Sequence, residues 1–154
     1  MPRLVGQERL KKLFLRLMER DKLPHALLFY GAEGSGKEAA ALELGKLLLC
    51  REGDAPCGEC KSCRNFRKFE HPDFHFLFPI AKPRRSYNTG EWESGMAEDQ
   101  VEEYRRQLDA KAKDYYYKIN FKGASAILID QVRGLIQKSA FRSFYGGNRF
   151  ALIS

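Results

Sequence analysis

Four cysteines lie close together in the sequence and could bind one metal ion. They are Cys50, Cys57, Cys60 and Cys63, and the chain has no fifth cysteine. The C-x2-C turns in this spacing bring thiolates together at the ~2.3 Å bond length of tetrahedral zinc. Four protein ligands leave no position open for a substrate, so the pattern predicts a structural zinc site. An iron–sulfur cluster stays open as the alternative, because closely spaced thiolates also bind iron.

A glycine-rich stretch at residues 31–38 has the pattern of a phosphate-binding loop (P-loop). It fits G-x-x-x-x-G-K-[ST] except at its last position. Glycines let successive backbone N–H groups converge on an anion, and the helix that follows adds its positive N-terminal end. The Lys37 ammonium can reach the β- and γ-phosphates of a nucleotide. The candidate phosphate-binding residues are Gly31, Gly34, Ser35, Gly36, Lys37 and Glu38.

Glu38 stands where a P-loop ATPase has serine or threonine. The hydroxyl at that position normally binds Mg²⁺. A glutamate could bind Mg²⁺ itself, but its bulk and its repulsion of phosphate argue against this. The sequence therefore predicts P-loop architecture without ATP turnover by this chain, and it assigns no catalytic residue. Binding of ATP and Mg²⁺ stays open.

Three further residues resemble site residues but have simpler interpretations. His71 and His75 are four residues apart, yet Pro72 lies between them and opposes a shared helical face, so a metal-binding pair is not expected. Asp130 ends the apolar run at residues 126–129, as a Walker B acid would. Because a predicted helix begins at once, we interpret Asp130 as its N-cap. A better Walker B strand is predicted at residues 150–154, and its acid would follow residue 154.

Hydrophobic periodicity predicts the elements that must position these groups. An amphipathic first helix is indicated by Leu10, Leu13, Phe14, Leu17 and Met18. Strands are predicted at residues 25–30, 74–78 and 150–154. Helices are predicted at residues 37–50, 97–113 and 130–141. A strand, a glycine loop and a helix in succession predict an α/β fold built on a P-loop sheet.

Composition excludes several classes of protein. The chain has 154 residues, 44% of them hydrophobic and 12% aromatic, which suits a soluble globular domain rather than a disordered tail. No apolar run approaches the ~20 residues of a membrane helix, and we expect a cytoplasmic protein. The net charge is +7. The excess lies at the two ends of the chain, and Arg133, Lys138, Arg142 and Arg149 could meet DNA or an acidic protein surface.

The domain organisation is predicted to be one P-loop domain over residues 1–154. It includes a zinc module at about residues 50–65 and a charged insertion at about residues 81–118. We call residues 81–118 the inserted segment, and we expect a solvated excursion rather than part of the core. A docking element is the alternative that stays open. The chain ends within a predicted strand, so we expect a C-terminal remainder.

These features together resemble the AAA+ domains of bacterial DNA polymerase III clamp-loader subunits, over residues 4–80 and 126–154. Val5-Gly6-Gln7-Glu8 resembles the segment that lines their adenine pocket, and residues 24–29 resemble their first core strand. A zinc module after the P-loop helix is particular to the gamma/tau and delta-prime subunits. Glu38, His71-Pro72-Asp73 and Ile129-Asp130-Gln131-Val132-Arg133 look more like delta-prime than gamma/tau.

The resemblance implies a parallel AAA+ sheet with helices on both faces and an architectural role in a hetero-oligomer. That assembly contains gamma/tau and delta subunits and loads a sliding clamp onto primed DNA for replication. The family's arginine finger, which completes a neighbour's ATP site, lies later in the chain than residue 154.

Two alternatives to the delta-prime interpretation stay open. One is an active gamma/tau-type ATPase in which Glu38 binds the metal. The other is a zinc-dependent nucleic-acid binder whose P-loop is vestigial.

Overall fold

The computed structural model describes residues 5–52, 56–85 and 91–154, and parts of the zinc module and of the inserted segment lie outside these ranges. The helices in the described ranges are α1 (Glu8–Glu19), α2 (Lys37–Leu49), α3 (Lys61–Arg67), α4 (Glu98–Lys113) and α5 (Ile129–Ser139). The strands there are β1 (Phe74–Leu77) and β2 (Phe150–Ile153), and a short 3₁₀ helix covers Trp92–Gly95. The helices predicted at residues 37–50 and 97–113 and the last two predicted strands are confirmed.

The strands β1 and β2 pair in parallel, with Phe74 opposite Phe150 and Leu77 opposite Ile153. Within the described residues this sheet has two strands. The phenylalanines and Leu152 lie against helix α2, and alternation along each strand turns His75 and Ala151 to the other face. The molecule is therefore a mixed α/β structure with a parallel pair of strands, which confirms the predicted class at that level.

Helix α2 is buried on almost every side, unlike the amphipathic α1. Residues 39–47 and Leu49 are all buried, and α1, α3 and β2 pack around them. Small residues permit this crowding. At Gly45, an added Cβ would lie 2.5 Å from the ring of Phe150, so only glycine lets the strand approach this closely.

The strand predicted at residues 25–30 is wrong. The segment has no regular secondary structure and pairs with no strand among the described residues, and Leu28 and Tyr30 are each 87% exposed. Phe29 alone of this run packs on the core, with its ring centroid 6.1 Å from that of Phe14. A strand needs a neighbouring backbone for its hydrogen bonds, and an apolar run carries no information about whether that neighbour is present.

The N-cap assigned to Asp130 is also wrong. Helix α5 begins at Ile129, its N-cap is Leu128, and the Leu128 N–H donates to Gln131 Oε1 at 2.9 Å. Asp130 lies in the first turn, where its carboxylate is 3.2 Å from Arg133. The buried Gln131 also donates to the Phe78 carbonyl at 3.2 Å. The two hydrogen bonds of the Gln131 side chain together fix the start of the helix.

The inserted segment is not a solvated excursion. Trp92 and Met96 are buried with Phe78 and Phe121 in a cluster that joins the segment to the end of β1. Tyr104 of α4 stacks on Phe78 with ring centroids 5.4 Å apart. The balance of acidic and basic residues therefore does not indicate whether the segment has a buried side.

The buried carboxylate of Asp73 fixes the loop that leads into β2. It accepts from Phe144 N at 2.8 Å, Ser143 Oγ at 3.0 Å and Tyr145 N at 3.2 Å. Burial alone would raise the pKa of Asp73, but these donors outweigh it and hold that pKa below its ordinary value. Asp73 therefore stabilises the fold in its ionised form.

We expect Asp73→Asn to lower the free energy of unfolding at neutral pH by about 2 kcal/mol, because hydrogen bonds to a charged group are lost. Because folding lowers the pKa of Asp73, the stabilisation is present at pH values above the pKa of this group in the unfolded chain. It is lost as the pH falls through the pKa of the group in the folded protein. The difference from wild type should therefore shrink below a pH of about 4. Urea unfolding at several pH values measures it. Asp99→Asn, which removes an exposed carboxylate 2.8 Å from Arg84, is the control and should change stability little.

Candidate functional site

The P-loop connects the apolar segment at residues 25–30 to helix α2. Gly34 and Gly36 have φ angles of 77° and 78°, in the left-handed region that glycine adopts without strain. Gly36 is the N-cap of α2, so the first N–H groups of a 13-residue helix point into the loop. The backbone thus has the form of an anion-binding nest.

Lys37 is bonded to the loop itself. Its Nζ donates to the carbonyls of Ala32 at 2.7 Å and Gly31 at 2.9 Å. This holds the ammonium at the loop, where it adds positive charge to that of the helix end.

Glu38, in the first turn of α2, is paired with a lysine from the inserted segment. Lys111 Nζ lies 3.0 Å from Glu38 Oε1, and it also donates to the Tyr117 carbonyl at 2.7 Å. The Lys111 side chain is only 2% exposed and that of Glu38 28%. The carboxylate at the position of the usual metal-binding hydroxyl therefore already has a cation beside it.

Two further contacts place the inserted segment against the P-loop. An added Cβ at Gly36 would be 3.1 Å from the Tyr116 ring, and the Tyr116 hydroxyl accepts from Val5 N at 2.9 Å. Lys118 Nζ lies 2.6 Å from the carboxylate of Glu33, and this hydrogen bond lowers the pKa of Glu33. The inserted segment is thus one wall of the P-loop.

A cleft of about 1360 Å³ opens beside the P-loop. Its walls are residues 24–29, residues 148–154 and the P-loop, together with Lys111 and residues 115–118 of the inserted segment. The cleft is large enough for a nucleotide-sized ligand. All candidate phosphate-binding residues except Gly31 and Ser35 line it.

The structure brings the four predicted metal-binding cysteines together. Their sulfur atoms all lie within 4.8 Å of one another, with Cys50 and Cys57 sulfurs 3.7 Å apart and Cys57 and Cys63 sulfurs 3.9 Å apart. A tetrahedron of thiolates bound at ~2.3 Å has edges of about 3.8 Å. All four thiols are free of disulfides. The cluster can therefore hold a metal ion.

Helix ends position the cysteines. Cys50 is the C-cap of α2, Cys60 is the N-cap of α3, and Cys63 lies in the first turn of α3. The backbone N–H of Cys60 donates to the Cys57 sulfur at 3.4 Å. The N–H groups of Cys60 and Glu59 lower the pKa of Cys57 to about 7, whereas burial raises the pKa of Cys63.

His71 lies outside the cysteine cluster and joins it to the core. Its Nδ1 accepts from Asp73 N at 3.0 Å, and its Nε2 lies 2.8 Å from Ser62 Oγ. Ser62 Oγ in turn donates to the Leu49 carbonyl at the end of α2. Burial lowers the pKa of His71, so the ring is a neutral structural link. His75 lies in β1, as predicted.

Most of the predicted basic set has partners within the chain. Arg133 pairs with Asp130, Lys138 lies 3.1 Å from Glu93, and Arg149 donates to the Lys138 carbonyl at 2.9 Å. Arg142 is exposed. These ion pairs reduce the positive field that the bare sequence predicts.

Lys111 is the site residue that the sequence interpretation missed. It shares one face of α4 with Gln100 and Gln107, at spacings of seven and four residues, and all three are buried. A polar stripe at helical spacing was therefore the available signal, but it was hidden in a helix rich in both charges.

A comparison with protein families matches residues 6–154 to the model described as "DNA polymerase III, delta subunit". The chain belongs to this family. A delta-prime subunit of DNA polymerase III from Bacillus subtilis is 45% identical over 74 residues, 47% of this chain and 22% of that protein. The delta-prime subunit of Escherichia coli is 28% identical over 117 residues, 75% of this chain and 32% of that protein.

The resemblance to delta-prime clamp-loader subunits is confirmed by these relatives. A tau subunit from Bacillus subtilis is also similar, at 38% identity over 63 residues, 40% of this chain and 11% of that protein. The chain thus spans a third or less of the length of these relatives. No solved structure matches the chain. Among the described residues, no helix has the length and apolar character needed to cross a membrane.

We expect the protein to hold about one equivalent of metal, and Cys60→Ser to abolish it, because three thiolates lack the fourth ligand of a closed site. Elemental analysis after gel filtration measures the metal, and thermal unfolding measures the accompanying loss of stability. A reductant in all samples separates metal binding from disulfide formation. Retention of the metal in Cys60→Ser would contradict the four-cysteine site.

Proposed function

We propose that the chain is the P-loop portion of a delta-prime-type clamp-loader subunit that acts architecturally in DNA replication. In this proposal it assembles with gamma/tau and delta subunits and supports ATP-driven loading of a sliding clamp onto primed DNA in the cytoplasm. Membership of the delta subunit family supports the assembly. The single observation that carries the architectural role is Glu38 at the metal-binding position of the P-loop, paired with the buried Lys111.

The family also supports a larger sheet than the described one. We propose that β1 and β2 belong to a parallel AAA+ sheet with helices on both faces, and that residues 1–154 are the N-terminal part of that domain. The exposed Leu28 and Tyr30 support this, because a buried strand is the usual setting of such side chains. The Walker B acid and the arginine finger remain proposals for residues beyond 154.

Zinc is the metal we propose for the cysteine cluster. Four thiolates in a closed tetrahedral arrangement are the ligand set of structural zinc sites. The cluster joins the end of α2 to α3, so the ion would fix the P-loop helix at the end opposite the nucleotide site. Its role would be structural rather than catalytic.

The expected metal is about one zinc per chain, without the visible absorption of an iron–sulfur cluster. Elemental analysis and an absorption spectrum of anaerobically purified protein measure both. Chelation should release zinc and lower the melting temperature together, because metal binding is coupled to folding. Stoichiometric iron with sulfide would contradict the zinc assignment.

The second candidate is a gamma/tau-type motor, which the tau relative and the intact Gly36 and Lys37 favour. ATP hydrolysis by the full-length protein with Mg²⁺ separates the two. We expect no turnover above background for wild type, and none for Lys37→Ala. Turnover that disappears in Lys37→Ala would identify a motor subunit and contradict the architectural proposal.

Assembly is tested separately by mixing the full-length protein with gamma/tau and delta subunits. We expect a stable complex whose DNA-stimulated ATPase activity is unchanged within about twofold by Lys37→Ala, since hydrolysis belongs to the neighbours. A full-length protein that folds but does not join the complex would contradict the clamp-loader function.

A further inference from the structure

In this chain an ammonium group lies beside the P-loop residue that usually binds a divalent metal. In the usual motif, the residue after the P-loop lysine gives its hydroxyl to Mg²⁺. Here that residue is Glu38, and Lys111 Nζ lies 3.0 Å from its Oε1. Lys37, Glu38 and Lys111 all line the same cleft. The pair therefore lies at the phosphate side of the P-loop helix.

The position of Lys111 is built into the inserted segment. The Tyr117 carbonyl accepts a second hydrogen bond from its Nζ at 2.7 Å. The turn that presents this carbonyl is fixed by Tyr116 N donating to Asp114 Oδ1 at 2.8 Å and by Tyr117 Oη donating to Gln107 Oε1 at 3.0 Å. With 2% of its side chain exposed, Lys111 is not a mobile surface lysine.

A divalent ion does not fit this arrangement. Mg²⁺ requires nearly octahedral oxygen ligands at 2.0–2.1 Å and usually keeps several waters. The Glu38 carboxylate oxygen is engaged by the Lys111 ammonium, whose charge repels a second cation. An ammonium carries one positive charge and three donors, and it binds phosphate as a point charge. Lys111 can therefore occupy the place of the metal beside Glu38, but it supplies neither the two charges nor the coordination of the ion.

We propose that Lys111 substitutes for the divalent metal, so that this P-loop binds a nucleoside di- or triphosphate in metal-free form. This inference rests on the phosphate-binding loop of the proposed function. Lys37 and the N-terminus of α2 hold the phosphates, and the Glu38–Lys111 pair, which has no net charge, fills the place of the metal. Without a bound metal, the loop has no Lewis acid at the γ-phosphate, which agrees with an architectural subunit.

The test is nucleotide affinity of the full-length protein with and without Mg²⁺. A fluorescent ATP analogue is titrated in buffer freed of divalent ions by a resin, because a soluble chelator would also strip the cysteine cluster. We expect Mg²⁺ to give wild type no gain in affinity and to weaken the apparent affinity, because it draws ATP into its own complex and the metal-free form is the one that binds. Cysteine-bound metal is assayed afterwards in each sample.

The informative variant is the double substitution Glu38→Thr with Lys111→Met. It removes the buried charge of Lys111 together with that of its partner Glu38, so it leaves neither ion unpaired, and it restores the usual hydroxyl. We expect Mg²⁺ to tighten nucleotide binding by about tenfold or more in this variant. Electron paramagnetic resonance of Mn²⁺ with ATP should then show protein-bound metal in the double variant and not in wild type.

Lys113→Met is the matched control. It removes an exposed ammonium from the last residue of α4, two positions from Lys111, that does not line the cleft. We expect this variant to gain no affinity from Mg²⁺, as in wild type.

Three results would overturn the inference. They are wild-type binding that requires Mg²⁺, no nucleotide binding under either condition, and a double variant that stays independent of Mg²⁺. Each leaves assembly with gamma/tau and delta subunits unaffected, so that separate experiment decides whether the proposed clamp-loader function fails as well.

Discussion

The burial of helix α2 is the constraint on which the rest of the structure depends. Its N-terminus forms the P-loop cap at Gly36, and Cys50 of the cysteine cluster is its C-cap. Between these ends the helix is buried on nearly all sides, against β2, α1 and α3. Because the interior is close-packed, neither end of the helix can move without moving its neighbours. The P-loop and the cysteine cluster therefore occupy fixed positions relative to each other.

The inserted segment completes the site that α2 begins. It contributes the ammonium beside Glu38, the ring beside Gly36 and the cation beside Glu33. A buried charge is retained only with a partner, because removing one member leaves the other without solvation. Glu38 and Lys111 are thus interdependent. The same dependence explains how a chain can keep the glycines and lysine of a P-loop while losing the residue that binds the metal.

The elements that the sequence predicts correctly are those with a local signal. The stripe ending at Met18 predicts α1, the P-loop pattern predicts the start of α2, and the cysteine spacing predicts the cysteine cluster that the structure assembles. Each of these depends on residues close together in the chain. The strand at residues 25–30 fails because its hydrogen bonds depend on a distant partner.

Contacts between residues far apart in the chain also explain the other differences between the predicted and the observed structure. Nothing local indicates that Lys111 meets Glu38 across 73 positions or that Gln131 reaches the Phe78 carbonyl. Helix α3 escapes prediction because it has seven residues and begins inside the cysteine cluster, where spacing indicates ligands rather than helix. On α4, the polar residues Gln100, Gln107 and Lys111 at helical spacing are the sequence signal for the buried face.

The most direct test of the central claim is a crystal structure of the full-length protein with a non-hydrolysable ATP analogue and Mn²⁺, using anomalous scattering to locate the metal. The account predicts phosphate density in the P-loop, the Lys111 ammonium within hydrogen-bond distance of Glu38, and no anomalous peak beside that carboxylate. A manganese peak bound to Glu38, with Lys111 displaced, would contradict it.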